Sequence, residues 1–159
     1  MTFEEFFVER YGEVVRCMRL VVGDSTRAEE FAEEAFVRAF RHWSRVSRLD
    51  RPVAWVYVVA CNEARRGWRH EQRSPKWSAR ERPVVEDPAR RVATVLDLHV
   101  ALNLWGARPR AAVVLRYFAD LPLAEIAAVM GCATGTVKAT LHQALDRLRI
   151  ELEVSDHAD

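Results

Sequence analysis

The sequence is poor in the residues that interrupt helices, with six glycines and six prolines among 159 positions. Strand signals are nearly absent, because apolar residues recur at helical spacing and seldom alternate, which implies an all-α protein. No apolar run approaches the ~20 residues that a membrane-spanning helix needs, so no membrane insertion is expected. The opening stretch, MTFEEFFVER, is acidic and lacks the basic start of a secretory signal, so a cytoplasmic location is expected. Cys17, Cys61 and Cys132 are odd in number and have no metal-ligand spacing, and read as reduced buried thiols. No Gly-rich phosphate loop, ligand cluster or nucleophile–base pair stands out, so no catalytic residue, metal or cofactor is expected. An excess of charge is also missing: 24 Lys and Arg meet 23 Asp and Glu, a net charge of +1. A protein that grips DNA unaided neutralises many phosphates. Here either basic residues cluster locally or a larger partner supplies part of the grip.

What is present is apolar periodicity, with half of the residues hydrophobic. A first helix is predicted over residues 3–22, with Phe3, Phe7, Val14, Met18 and Val21 on its apolar positions and Gly23 at its end. Asp24 or Ser25 caps a second helix that runs to about Trp43, with a stripe of Ala32, Ala35, Phe36, Ala39, Phe40 and Trp43. Its other side carries Glu29, Glu30, Glu33, Arg38 and Arg41. A polar connection from Ser44 to Pro52 follows, and then a third helix over about 51–69. Val53, Val56, Tyr57, Ala60 and Ala64 form the core stripe of that helix, and Trp55, Val59, Asn62, Arg66 and Arg69 form a second line. An aromatic, an amide and guanidiniums in one line suit stacking and phosphate contact with a single DNA strand, or a solvated face with Trp55 in the core. Residues 70–88 hold Pro75, Pro83 and Pro88 among basic side chains and read as a linker. A fourth helix over 90–105 carries His99 as a packing residue. After Gly106, Pro109 fits the first turn of a helix ending near Phe118.

The stretch from Leu121 to Arg149 reads as two helices joined by a tight turn. Leu123, Ile126, Ala127 and Met130 share one face, and Gly131 sits at the break. Thr134 is placed as the N-cap of the next helix. Val137, Leu141, Ala144, Leu145 and Leu148 form its stripe, leaving Thr136, Lys138, Ala139, Thr140, His142, Gln143 and Asp146 on the other side. Spacing alone fits an ordinary αα-hairpin as well as a helix-turn-helix whose second helix enters the major groove.

Residue identities favour the second. RYFADLPLAEIAAVMGCATGTVKATLHQAL resembles region 4 of the extracytoplasmic-function (group four) sigma factors, with the pattern LRYFxxLSxxEIAxxLGxSxGTVKSRLxRAL. AEEFAEEAFVRAFRHW resembles region 2.2 of the same family, AEDLVQEAFLRAWR, and AWVYVVACNEARRGWR resembles AWLYRIARNLAxDxxR. The resemblance implies two small helical domains: region 2 over 1–70 and region 4 over 90–153, with a linker over 71–89 and a tail over 154–159. It implies an RNA polymerase sigma factor, not an enzyme, that binds core polymerase through the beta-prime and beta subunits and reads the −10 and −35 promoter elements. An anti-sigma factor is an implied further partner.

By position, the resemblance assigns Glu30, Glu33, Arg38 and Arg41 to core polymerase. It assigns Arg48, in the loop that captures a flipped base, with Trp55, Asn62, Arg66 and Arg69, to the −10 element. Thr134, Thr136, Lys138, Ala139, Thr140, His142 and Gln143 fall to the −35 element, and Arg108, Arg110 and Arg116 to flanking phosphates. Several positions depart from the family. Glu30 and Glu33 replace Asp and Gln. Val58, Cys61, Thr140 and Gln143 stand where arginines are usual, WGARPR replaces a diproline turn, and a short member without the helix that often precedes FEEFF is expected. The competing class is a stand-alone helix-turn-helix regulator. It needs a dimer on palindromic half-sites and leaves the acidic helix and the Trp55 line without a role.

Overall fold

A computed structural model describes residues 1–72, 102 and 105–156, and among these every regular element is an α-helix. The chain divides into two compact units, Met1–Val84 and Val85–Asp159.

In the first unit, α1 (Phe3–Val22) starts at a reciprocal cap. The Thr2 hydroxyl accepts from the Glu5 N–H at 3.2 Å, and the Glu5 carboxylate accepts from the Thr2 N–H at 2.8 Å. It stops at Gly23, whose φ of 78° is open to glycine at little cost. Asp24 caps α2 (Ser25–Arg41) by accepting from the Arg27 N–H at 2.9 Å. Ala28, Ala32, Ala35 and Ala39 line one fully buried face of α2. Their small side chains let α2 pack against both α1 and α4 (Pro52–Gln72). Val14, Met18 and Val21 of α1 and Val56, Tyr57, Ala60 and Ala64 of α4 complete this core.

The second helix is shorter than its periodicity predicts. It ends at Arg41, His42 leaves helical geometry at φ −115°, and a one-turn helix, α3 (Trp43–Val46), takes up part of the expected polar connection. The reason is apolar. The break lets Val46 reach 1% exposure and sets the Trp43 ring 5.0 Å from Phe6 and 5.5 Å from Phe3. Phe40, expected in the core stripe, is instead 60% exposed and meets only the edge of that cluster, at Phe3.

The second unit packs α5 (Ala107–Tyr117), α6 (Leu123–Met130) and α7 (Thr134–Asp156) around Leu115, Leu121, Ile126, Val137 and Leu141, with Leu102 and Trp105 also buried. Gly131, at φ 65°, turns the chain between α6 and α7. Thr134 is the first residue of α7 and not its cap. Ala133 precedes it and accepts from the N–H groups of Thr136 and Val137 at 3.0 and 3.2 Å. Leu145, placed in the stripe from sequence, is partly exposed. The expected linker beyond Gln72 and the expected fourth helix with His99 lie outside the described residues, apart from Leu102 and Trp105.

Candidate polymerase and nucleic-acid interfaces

Because alanines hold one side of α2 in the core, the opposite side is left to solvent. Glu30, Glu33, Val37, Phe40 and Arg41 recur there at helical spacing and all are exposed. Val37 and Phe40 were not predicted for this surface, since their apolar character placed Phe40 in the core. Glu33 accepts a hydrogen bond from the Tyr11 hydroxyl at 3.3 Å. Arg38 does not join this face. It turns toward α4 and pairs with Glu34 at 2.9 Å and with Glu63 at 2.8 Å. That places it in the α2–α4 seam.

Packing of Tyr57, Ala60 and Ala64 likewise turns Trp55, Val59, Asn62 and Arg66 of α4 outward, with Asn62 and Arg66 exposed. Arg66 lies 3.4 Å from Glu63. The side chain of Arg69 lies outside the described residues. Beside Trp55 is a cavity of about 200 Å³, lined by His42, Arg45, Val46, Leu49 and Trp55. Arg48 is exposed on the same connection but does not line the cavity, whereas His42 and Arg45 do. No sequence pattern pointed to those two, because the turn at His42 that aims them is set by burial of Val46.

Cys61 corrects one expectation. It stands where the family has arginine, as if a cation were missing from the outward face, yet it is 4% exposed with its Sγ 3.9 Å from the Met18 Sδ. The position faces the core, so only Val58, half-buried, bears on the surface charge. Burial pushes the Cys61 thiol up to about 12 and raises Cys17 as well. Burial also raises Tyr57, whose hydroxyl donates to Glu13 at 3.1 Å.

In the second unit, burial of Val137, Leu141 and Ala144 turns Thr136, Lys138, Ala139, His142 and Gln143 to solvent, with Thr134 exposed at the N-terminus. Thr140 is half-buried, and its hydroxyl donates to the Thr136 carbonyl at 2.8 Å. His142 Nε2 lies 3.5 Å from one Asp146 oxygen, and Arg149 lies 3.8 Å from the other. The three flanking arginines do different work. Arg108 donates to the Met130 carbonyl at 3.1 Å and Arg116 to the Leu121 carbonyl at 3.1 Å, so each braces one end of α6. Arg110 is half-buried, and desolvation lowers its pKa.

Comparison with known proteins agrees with this geometry. The family description Sigma-70 region 2 matches residues 7–74, and Sigma-70, region 4 matches residues 94–148. The RNA polymerase sigma-E factor of Streptomyces avermitilis is 31% identical over 98% of this chain and 88% of its own length. The ECF RNA polymerase sigma factor SigL of Mycobacterium tuberculosis is 31% identical over 84% of this chain and 78% of its own. Among solved structures, the sigma factor RpoE bound to the anti-sigma factor NepR from Bartonella quintana shares the fold. Its TM-score is 0.79 at 22% identity, covering 96% of this chain and 97% of that one. The chain belongs to the sigma-70 family of RNA polymerase sigma factors, among its extracytoplasmic-function members. It is a DNA-binding factor for promoter-specific transcription initiation. Among the described residues no helix is long and apolar enough to cross a membrane.

Proposed function

We propose that the two units divide the work of initiation, over 1–70 and 90–153 with a linker over 71–89. The exposed side of α2, with Glu30, Glu33 and Arg41, docks on core RNA polymerase, and Val37 and Phe40 add apolar area to that contact. Trp55, Asn62 and Arg66 of α4 engage the separated −10 strand, and the adjacent cavity receives an unstacked base. Thr136, Lys138, Ala139, His142 and Gln143 of α7 enter the −35 major groove from the helix N-terminal half. The protein performs no chemistry itself and lends sequence specificity to the polymerase, in the cytoplasm. An anti-sigma factor is a fitting further partner, since RpoE, which shares the fold, is described in complex with the anti-sigma factor NepR.

One observation carries this reading: among the described residues, three helices each bury an apolar stripe and present binding-type residues on the more exposed side. Reconstitution tests it. The purified chain should co-elute with core polymerase without DNA and direct initiation from a defined start. A stand-alone regulator would bind duplex DNA and leave core polymerase untouched, and that result would overturn the proposal.

A further inference from the structure

The groove-facing side of α7 is chemically narrow. Between Thr134 and Asp146 the only Lys or Arg is Lys138, and no guanidinium is present. Val137, Leu141 and Ala144 fix the helix's rotation, so Ala139, His142, Gln143 and Asp146 point most directly away from the core. Lys138 follows the buried Val137 and lies to one side of that line, where an ammonium reaches phosphate more readily than base edges. Thr140 lies on the other side, half-buried, and its hydroxyl is already engaged by the Thr136 carbonyl at 2.8 Å. It therefore offers no free donor to a base or a phosphate. The imidazole of His142 faces Asp146 at 3.5 Å, and that carboxylate is held from its other side by Arg149.

This leaves Gln143 as the exposed side chain on the central line that carries a donor and an acceptor together. A glutamine amide pairs bidentately with adenine N6 and N7, whereas guanine in the major groove is read by arginine or lysine. Ala139 lies one turn before Gln143 and presents only a methyl group, which suits the thymine 5-methyl. One helical turn rises about 6 Å over four residues, close to two base steps of ~3.4 Å.

We propose that Gln143 fixes an adenine in the −35 element and that Ala139 rests against a thymine methyl about two base steps away. The inference rests on α7 being the −35 reader. It adds that the central line of this helix selects A·T pairs and holds no reader for guanine.

The test uses the full chain assembled with core polymerase and a duplex library randomised over the −35 region above a fixed −10 region. The parent should enrich adenine at one position, with a preference of roughly tenfold. Gln143→Ala should erase the preference at that position alone. Gln143→Arg should replace adenine by guanine there and leave the other positions unchanged. Ala139→Ser should weaken the thymine preference about two steps away without touching the Gln143 position. A parent that selects guanine at the Gln143-dependent position overturns the inference. Enrichment that Gln143→Ala leaves unchanged overturns it while the −35 assignment of α7 stands. Absence of upstream enrichment for every variant overturns it together with that assignment.

Discussion

Arg38 offers the sharpest separation of fold from function, because its position in the family-like helix suggested polymerase docking while its side chain turns inward. Its guanidinium pairs with Glu34 across one turn of α2 and with Glu63 of α4, whose side chain is 17% exposed. The two arms differ in weight. The Glu34 arm is a partly solvated intrahelical pair, which typically contributes about 0.3–0.5 kcal/mol. The Glu63 arm is a charged hydrogen bond to a carboxylate largely withdrawn from water, a class that contributes about 1.5–3 kcal/mol. That figure needs discounting, because the Arg38 side chain is itself 35% exposed and Arg66 gives Glu63 a second partner at 3.4 Å. We therefore expect Arg38→Ala to destabilise the first unit by about 1–2 kcal/mol. With a urea slope of about 2 kcal/mol per molar, the midpoint falls by roughly 0.5–1 M. Hydrogen exchange of α2 and α4 amides against urea reads this unit separately from the other. A cycle with Glu63→Gln should return a coupling of about 1 kcal/mol. Arg38→Ala protein held below its new midpoint should still co-elute with core polymerase. An unchanged midpoint with lost co-elution would refute the reasoning and return Arg38 to the docking surface.

Glu30→Arg with Glu33→Arg should abolish co-elution with core polymerase at nearly unchanged stability, because both are exposed and only the Tyr11 contact at 3.3 Å is lost. Asn62→Ala should lower open-complex formation, read by permanganate reactivity of promoter thymines, more than it lowers polymerase binding. Thr140→Arg with Gln143→Arg in the full chain should tighten duplex binding and steepen its salt dependence by about one logarithmic unit for each phosphate newly neutralised. Native protein should alkylate first at Cys132, with Cys17 and Cys61 reacting only on unfolding, as mass spectrometry would show. The Cys61 thiol is raised from 9.0 to about 12 by burial, so its contribution to stability is complete below pH 9 and is lost as pH rises from there toward 12. A urea midpoint of the first unit that stays level across that range would contradict this.

Much of the fold was legible because its signals are local. Asp24, Gly23 and Gly131 all stand where propensity puts them, and the alanine stripe of α2 and the apolar faces of α6 and α7 follow helical period. What the sequence hid depends on tertiary packing. Nothing in FRHWSRV states that the helix breaks at His42, since the break exists to seat Val46 and Trp43 against α1 and α4 residues distant in sequence. The same cause turned Phe40 outward and aimed His42 and Arg45 into the cavity. Cys61 was placed on the surface because arginine is usual at that position in the family, and only the depth of α4 against Met18 shows otherwise. Arginines were the least legible class. A long side chain can reach phosphate, carboxylate or a backbone carbonyl from one sequence position, and Arg108 and Arg116 took carbonyls.

That use of arginine bears on how the protein can hold a promoter. Guanidiniums that brace the ends of α6 contribute rigidity to the helix that packs against α7. Among the described residues, α4 then offers Arg66, and the N-terminal half of α7 offers Lys138 with Arg147 and Arg149 exposed further along the helix, within a chain whose net charge is +1. Each phosphate neutralised on duplex DNA contributes about 0.9 to the logarithmic salt slope, and most non-specific affinity comes from that release of counterions. A few such contacts give a shallow slope, so we expect the chain alone to bind duplex DNA weakly. Specificity needs no such excess, because a bidentate amide and a well-placed methyl group discriminate bases without adding charge. On the docking proposed above the division follows: base reading is assigned to this small protein, and the polymerase is expected to supply much of the phosphate grip. On the same proposal, weak binding in isolation would keep the factor from occupying promoters before it is mounted on the enzyme that can use them.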